Sequence, residues 1–396
     1  MKQNLAIIGG GISGIMTAIK LSSNLNINID LYEERDKILD SLPYCHLHSG
    51  GFLYPMISLL DCKELLIDSL LFAEYFDKCL YKRPTIISYK NNSTYCTNKL
   101  LFKAKILKYE YTIWVNRYNK LTLGNPDNYY CEYTKKDIIN YKKGECLNKN
   151  KYHDKYVEEF CKLLKNIDDI KYPFISVCEY GINQEMVEKQ LINEIQKSNI
   201  NIYKNTCANV VKDDNNWLVN DKKYDILVNA SGYKSKKVLQ DNKDEFLELK
   251  SSWIIKSNIL NDTILPEITI IGERNTKDGM IQISPLLNNT FQIHYMSCDS
   301  SIINCINQDS YKTCIENLLP NNIDIQKRVK KSIIKINSLF NRFEDSIYQD
   351  YKMGFQRIVA SNKDKRISEL IQGNNYLELR LLKAISIIKI INQIKK

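Results

Sequence analysis

The hydrophobic pattern at the start of the chain alternates between strand and helix. Residues 4–8 are a short apolar run, residues 12–23 have apolar or small side chains at helical spacing, and residues 27–33 alternate as a strand does. Two strands joined by a helix in this way predict a parallel pair with a right-handed crossover. The chain therefore opens with a Rossmann-like βαβ unit.

The same periods predict two interleaved parts in the rest of the chain. Helical spacing recurs in several segments, whereas short β-branched and aromatic runs predict strands between them. Helices are predicted at 59–80, 152–165, 184–198, 322–342 and from about 381, and strands at 85–89, 101–102, 112–115, 200–203, 225–232, 253–260, 267–272, 280–284 and 290–297, with a hairpin of 210–212 and 217–219.

The predicted fold class is α/β, with a Rossmann-like parallel-sheet domain interleaved with an antiparallel-sheet α+β domain. The alternation places 1–82, 174–246 and 346–396 in the first domain, and 83–173 and 247–345 in the second. Each domain is thus assembled from stretches that are not adjacent in the chain.

A glycine motif lies where the first strand meets the first helix. Gly9, Gly11 and Gly14 form the pattern G-x-G-x-x-G, and its position after a strand and before a helix is typical of dinucleotide binding. Gly9 allows a tight turn, Gly11 lets a pyrophosphate approach the backbone, and Gly14 lets helix and strand pack closely. The helix N-terminus, with Ile12 and Ser13, then offers N–H groups to the phosphates.

A carboxylate and a second small-residue turn agree with this motif. The second strand ends at Glu33, where a carboxylate accepts hydrogen bonds from ribose hydroxyls. Glu34 is the alternative, but strand alternation favours Glu33. Far along the chain, an apolar strand ends in Ala230, Ser231 and Gly232, where small residues let the backbone approach a cofactor.

Composition changes this picture little. The net charge is +10, from 56 Lys and Arg against 46 Asp and Glu, but the basic residues are spread along the chain and do not favour a nucleic-acid partner such as tRNA. The twelve cysteines form no CxxC pair and no zinc-spaced cluster, and no signal peptide or apolar run of membrane-spanning length is present. These features predict a cytoplasmic protein with reduced thiols and no metal.

Several segments together resemble the D-amino-acid-oxidase-like FAD-dependent oxidoreductases of the glutathione-reductase-like superfamily. His46 to Pro55, with its Gly-x-Leu-Tyr-Pro stretch, looks like the loop that runs along the flavin in this group. Five further segments also resemble segments of this family, namely 179–183, 210–211, 229–233, 354–358 and the final helix. The motif and the resemblance together predict these FAD-binding residues: Gly9, Gly11, Ile12, Ser13, Gly14, Glu33, His48, Ser49, Gly50, Val210, Ala230, Ser231, Gly232, Gly354 and Gln356.

The sequence also departs from the family. The usual Gly-x-Arg-Pro and Gly-His-Gly-x-x-Gly of the closing segment are not present, and the amino-acid carboxylate clamp is not identifiable. The expected chemistry is hydride transfer from a carbon beside nitrogen to the flavin, where a cation near the flavin stabilises the reduced form. Lys383 or Arg380 is the candidate cation.

Other side chains are candidates for the substrate pocket. His48, or its neighbour His46, is a candidate general base or pocket residue. Arg274, or alternatively Arg83, is a candidate for binding a substrate carboxylate. The catalytic residues are therefore predicted to be His48, Arg274 and Lys383. Cys45 is a minor candidate for covalent flavin attachment.

The leading interpretation is an FAD-dependent oxidoreductase that oxidises a C–N bond of a small amine or amino-acid-like substrate. A flavin monooxygenase is the first alternative, although no second G-x-G-x-x-G supports separate NADPH binding. A flavin-binding protein without catalytic activity is the second alternative. No cysteine pair with the C-x₄-C spacing of disulfide reductases is present.

Overall fold

The computed structural model describes residues 2–24, 26–40, 46–232, 234, 245–261, 263–273, 276–297, 302–305, 322–359, 368–381 and 383–394. In chain order the strands are β1 (Gln3–Ile8), β2 (Ile27–Tyr32), β3 (Leu80–Tyr81), β4 (Thr85–Tyr89), β5 (Tyr130–Tyr133), β6 (Phe174–Val177), β7 (Gly181–Ile182), β8 (Ile200–Tyr203), β9 (Val210–Asp213), β10 (Asn216–Val219), β11 (Lys222–Tyr224), β12 (Ile226–Asn229), β13 (Glu245–Lys256), β14 (Glu267–Ile271), β15 (Met280–Pro285), β16 (Thr290–Met296), β17 (Ile302–Cys305), β18 (Ile347–Val359), β19 (Glu369–Gly373) and β20 (Tyr376–Arg380). The helices are α1 (Ile12–Ser22), α2 (Leu59–Tyr75), α3 (Thr97–Tyr118), α4 (Lys135–Lys142), α5 (Lys151–Leu163), α6 (Gln184–Gln196), α7 (Asn322–Leu339) and α8 (Ile387–Gln393).

A six-stranded sheet forms the first layer, in the order β19-β20-β12-β1-β2-β8. All pairs except β19 with β20 are parallel. At its centre, Ile7 lies between Leu31 on β2 and Val228 on β12, and all three side chains are buried. Strands that are covered on both faces have near-continuous apolar runs, which is the pattern that the sequence shows here.

A nine-stranded sheet forms the second layer, in the order β17-β13-β16-β15-β14-β4-β6-β5, with β18 also paired to β13. Its pairs are antiparallel except that of β4 with β14. Its buried side chains, such as Trp253 and Phe291, pack with helices α5 and α7 in a core separate from that of the first layer. The predicted combination of a parallel sheet with an antiparallel-sheet domain is confirmed.

Two segments differ from their predicted structure. The strands predicted at 101–102 and 112–115 are wrong, because both segments lie inside α3. The helix buries Leu100, Ala104, Leu107 and Tyr111, whose spacing of four, three and four residues makes one helical face. The aromatic and β-branched residues that suggested strands lie mainly on the other faces of this helix.

The part of the chain after residue 346 contributes to both sheets. Strand β18 belongs to the antiparallel sheet, where Gly354 lies opposite Lys250 and Gln356 lies opposite Glu248. The chain returns to the parallel sheet only with β19 and β20, and α8 then packs against α1 and α2. None of the described helices is long and apolar enough to cross a membrane.

Candidate functional site

The loop between β1 and α1 packs tightly against the end of β12. Gly9 has a φ of +107°, and a Cβ on it would lie 2.6 Å from the carbonyl oxygen of Ala230, so only glycine fits there. A Cβ on Gly14 would lie 1.9 Å from the carbonyl oxygen of Gly9, because the helix passes close to the strand end. Both glycines therefore serve the close packing of this loop.

Gly11 differs from these two glycines. Its φ of −73° and ψ of −178° are accessible to any residue, so the backbone conformation gives no reason for a glycine. It is the N-cap of α1, which has no side-chain cap and no acidic residue in its first turn. The first-turn N–H groups, including those of Ile12 and Ser13, have no acceptor within the helix. An uncapped N-terminus preceded by glycine suits a phosphate that approaches the backbone.

Glu33 lies at the end of β2, beside this loop. Its carboxylate accepts hydrogen bonds from the backbone N–H of Gly10 at 2.6 Å and of Arg35 at 3.0 Å. Glu34 is exposed and pairs with Lys234 instead. The structure thus places the carboxylate of Glu33, rather than that of Glu34, against the glycine loop.

The end of β12 lies on the opposite side of the loop from Glu33. The hydroxyl of Ser231 donates to Asn229 Oδ1 at 2.7 Å, and Gly232 has a φ of +60° with open space where a Cβ would be. Val210, which begins β9, packs against a small hydrophobic cluster that includes Tyr32. The structure therefore brings together the glycine loop, Glu33 and the end of β12, although they are separated by up to about 200 residues.

Residues 46–54 form a loop between the two layers. Gly50 and Gly51 have φ values of +139° and +63°, and a Cβ on Gly50 would lie 2.5 Å from Leu107 on α3. The buried Ser49 accepts a hydrogen bond from the Tyr129 hydroxyl at its carbonyl oxygen. The packing of this loop against α3 by itself requires glycine at position 50. Its predicted contact with the cofactor stays a prediction.

A polar cluster, most of whose members are buried, combines side chains of this loop with side chains from distant parts of the chain. Its members are His46, His48, Tyr54, Glu179, Glu267, Gln282 and Lys383. His46 Nδ1 contacts Glu267 Oε1, and Gln282 Nε2 donates to the same oxygen at 2.7 Å. On its other side, His46 Nε2 lies 3.3 Å from Glu179 Oε1, which is 3.7 Å from His48 Nδ1.

Opposing effects set the protonation of this cluster. Burial disfavours a charge on His46, but the carboxylates of Glu267 and Glu179 together outweigh burial and raise the pKa of His46. Burial likewise disfavours the Glu267 carboxylate, but the charge of His46 and the hydrogen bonds to this carboxylate together outweigh burial and lower the pKa of Glu267. Burial raises the pKa of Glu179 to about 8, because the charge of His46 offsets it only in part. His46 and Glu267 therefore form an ion pair, and Glu179 is mainly protonated at neutral pH.

The closing segment of the chain reaches the same cluster through Lys383. Its Nζ lies 3.0 Å from His48 Nε2 and also donates to the Tyr54 hydroxyl. Lys383 directly precedes a short 3-10 turn, Ala384–Ser386, that leads into α8. Two of the three predicted catalytic residues, His48 and Lys383, are thus in contact although 335 positions separate them.

The remaining predicted residues lie elsewhere. Arg274 and Cys45 fall outside the described residues. Arg83 donates to the Pro285 carbonyl, and Arg380 pairs with Glu378 at 2.9 Å. Gly354 and Gln356 lie on β18 of the antiparallel sheet, and a contact of these two with the cofactor stays a prediction.

Sequence reasoning gave no role to Glu179 and Glu267. Glu179 follows the buried strand β6, and Glu267 begins the buried strand β14. A carboxylate next to an otherwise apolar strand was the available signal, since Asp and Glu are almost never fully buried without a partner. The sequence predicted no metal because no cluster of ligand residues has zinc spacing along the chain, whereas the structure brings both carboxylates to His46 from other segments.

No protein-family model and no curated protein matches the chain. Solved structures do match over nearly its whole length. Glycine oxidase from Geobacillus kaustophilus is 9% identical, with 100% of this chain and 96% of that chain covered and a TM-score of 0.63. L-amino acid deaminase from Proteus vulgaris is 11% identical, with coverages of 97% and 91% and a TM-score of 0.63. Dithionite-reduced L-alpha-glycerophosphate oxidase from Mycoplasma pneumoniae with FAD bound is 14% identical, with coverages of 98% and 93% and a TM-score of 0.60.

These likenesses concern the fold, because the identities are low. They agree with the interleaved parallel and antiparallel sheets and with the glycine loop between β1 and α1. The family resemblance predicted from the sequence is confirmed at this level. The chain has the same fold as these oxidases and this deaminase.

Proposed function

We propose that the protein is an FAD-dependent oxidoreductase that oxidises a carbon–nitrogen bond of a small amine or amino-acid-like substrate. The observation that carries this proposal is the full-length likeness in fold to an amino-acid oxidase and a deaminase. It is combined with the arrangement of Gly9 to Gly14, Glu33 and Ala230 to Gly232, which we propose as the nucleotide cradle. Fold alone leaves the chemistry open. The support that this chain itself provides is therefore the arrangement of its cradle residues.

The described residues fit the nucleotide part of FAD. The N–H groups at the start of α1 bind the pyrophosphate, with Gly11 leaving room for its approach. The Glu33 carboxylate accepts hydrogen bonds from the ribose hydroxyls, in place of its present bond with the N–H of Gly10. Ala230 to Gly232 form the opposite wall of the cradle, and Val210 supports the adenine side.

When bound, FAD would supply the hydride acceptor, and the residues of this chain would supply binding, orientation and charge. Lys383 places a positive charge where the closing segment meets the loop of residues 46–54. Both ring nitrogens of His48 face protein groups, namely Lys383 and Glu179. We therefore assign the contribution of His48, Ser49 and Gly50 to the backbone of the loop, with Lys383 as the electrostatic residue.

The similarity to a glycerophosphate oxidase adds alcohols to the substrates that need testing. A small-molecule substrate is proposed in either case, and no described feature favours tRNA. The cytoplasm is the proposed compartment, supported by the free state of eight of the described cysteines, four of which are buried.

The test is an absorption spectrum of the purified protein, followed by acid precipitation and an anaerobic substrate screen. Flavin bands that are released into the supernatant and bleached by an amine or amino acid support the proposal. Bleaching only by hydroxy compounds moves the activity to C–O oxidation, and bleaching only by NADPH identifies the monooxygenase alternative. Bound flavin that no metabolite reduces identifies a non-catalytic flavoprotein. A protein that takes up no FAD refutes the proposal.

A further inference from the structure

Three potential metal-ligand atoms converge inside the buried polar cluster. His46, His48 and Glu179 supply one atom each, and these three atoms all lie within 4.8 Å of one another. Glu179 Oε1 is 3.3 Å from His46 Nε2 and 3.7 Å from His48 Nδ1. Metal–ligand bonds of roughly 2.0–2.1 Å in a tetrahedral site separate ligand atoms by about 3.4 Å. The spacing therefore leaves room for one ion between the three residues.

The buried carboxyl group of Glu179 points to a bound ion independently of this spacing. Its side chain is fully buried, and neither carboxylate oxygen has a hydrogen-bond partner among the described residues. Buried polar groups in native proteins nearly always have partners, and each exception calls for an explanation such as an ion. The nitrogens at 3.3 and 3.7 Å lie too far away, or at the wrong angle, to satisfy these oxygens.

The far side of His46 is arranged as metal-binding histidines usually are. His46 Nδ1 contacts the Glu267 carboxylate, which Gln282 holds through a hydrogen bond of 2.7 Å. A carboxylate on the second ring nitrogen fixes the orientation of the imidazole and makes the first nitrogen a better ligand. Both carboxylate partners of His46 are buried in the same core region.

We propose that His46, His48 and Glu179 bind a divalent transition-metal ion of the Zn²⁺ type. Two imidazoles and one carboxylate are a ligand set for such ions, and three protein ligands leave one coordination position for water or a substrate atom. The divalent ion replaces two protons, one on His46 and one on Glu179, so the net charge of the cluster does not change. This assignment differs from the expectation drawn from the sequence, and it does not rest on FAD binding.

Lys383 makes the site testable in a second way. Its ammonium group lies 3.0 Å from His48 Nε2. An ion on Nδ1 leaves the proton on Nε2, so Lys383 has to turn its N–H groups to the Tyr54 hydroxyl, which it already contacts. The ammonium group and the ion are like charges in a buried region. Removing the charge at position 383 is therefore expected to tighten ion binding.

The test uses the full chain after removal of metal by a chelator. Zn²⁺ per chain is measured by elemental analysis after equilibrium dialysis, and Co²⁺ is titrated with detection of its d–d absorption. We expect one ion per wild-type chain, binding weakened at least about 100-fold in Glu179→Gln, weakened on the order of 10–100-fold in Glu267→Gln, and tightened in Lys383→Met. Far-ultraviolet circular dichroism of each variant shows whether it is folded.

The matched control is Glu64→Gln. Glu64 is a half-exposed carboxylate that pairs with Lys389, and it lies outside the cluster. We expect it to bind Zn²⁺ as the wild type does. Equal Zn²⁺ binding by the wild type and a folded Glu179→Gln variant overturns the proposal, as do absence of binding in the wild type and weaker binding in Lys383→Met. Since FAD is measured separately, these results do not depend on the outcome of the flavin experiment.

Discussion

Replacing Glu179 with glutamine in the metal-free chain removes a titratable group from a fully buried position. The pKa of Glu179 is about 8 in the folded chain, against 4.5 for an ordinary glutamate, because burial disfavours the charged form. The folded state then holds its proton more tightly than the unfolded state does. Stability is therefore lost as the pH rises from 4.5 towards 8. Glutamine has no proton to lose, so the variant is spared this loss.

The size of the effect follows from the two pKa values. Each tenfold difference in acid dissociation constant is worth about 1.4 kcal/mol, so the full interval amounts to about 5 kcal/mol. A buried amide without partners destabilises the variant by about 1–3 kcal/mol at every pH. The difference in stability between the wild type and the variant at one pH therefore does not test the reasoning. The change of that difference with pH does. We expect the wild type to lose about 1.4 kcal/mol per pH unit relative to Glu179→Gln between about pH 5 and pH 8.

Urea unfolding of both proteins, treated with chelator and free of FAD, measures this slope from acid to mildly alkaline pH. The Glu64→Gln variant is the control, because its carboxylate is half-exposed and its substitution leaves the cluster intact. We expect its unfolding free energy to run parallel to that of the wild type. Parallel curves for the wild type and Glu179→Gln would refute the reasoning, since they mean that Glu179 ionises alike in the folded and unfolded chains.

Further predictions concern the nucleotide cradle and a second buried histidine. Gly11→Val is expected to weaken FAD binding about 100-fold in a titration while lowering the melting temperature only slightly, because its backbone conformation suits any residue and only the N-cap preference for glycine over valine is lost. Gly14→Ala is expected to lower the free energy of unfolding by about 3 kcal/mol, because its Cβ would lie 1.9 Å from the Gly9 carbonyl oxygen. Glu33→Ala is expected to weaken FAD binding roughly 10–100-fold without loss of bound-flavin reactivity. Burial lowers the pKa of His153 to about 4, so the wild type is expected to lose about 3 kcal/mol relative to His153→Gln as the pH falls from 6.5 to 4, and equal acid sensitivity of the two would contradict this.

The parts of the fold that the sequence predicts are those in which local pattern and tertiary packing agree. The apolar run of β1, the glycine turn and the alternation of β2 each point to the same βαβ unit, and the hairpin of β9 and β10 is equally local. Helix α3 fails this condition. Its aromatic and β-branched residues favour strands, whereas its Leu, Lys and Ala residues favour a helix, and the burial of the face that carries Leu107 and Tyr111 decides between them.

The candidate site likewise has one part that the sequence predicts and one part that it does not. The nucleotide cradle was readable because Gly9, Gly11 and Gly14 form a short motif whose spacing is set by the geometry of one turn. The buried cluster was not readable, because Glu267 lies 221 positions from the histidine that it contacts. Nothing local marks such a pair, and only the register of the antiparallel sheet brings the carboxylate to the loop of residues 46–54.

The most direct test of the central claim is a titration of the FAD-free chain with FAD, followed by flavin absorbance and fluorescence. Binding of one FAD per chain, strongly weakened in a folded Gly11→Val variant, is the result that the proposed cradle predicts. A folded wild-type chain that binds no FAD, or a Gly11→Val variant that binds it as tightly as the wild type, would contradict the assignment of this loop as the cofactor site.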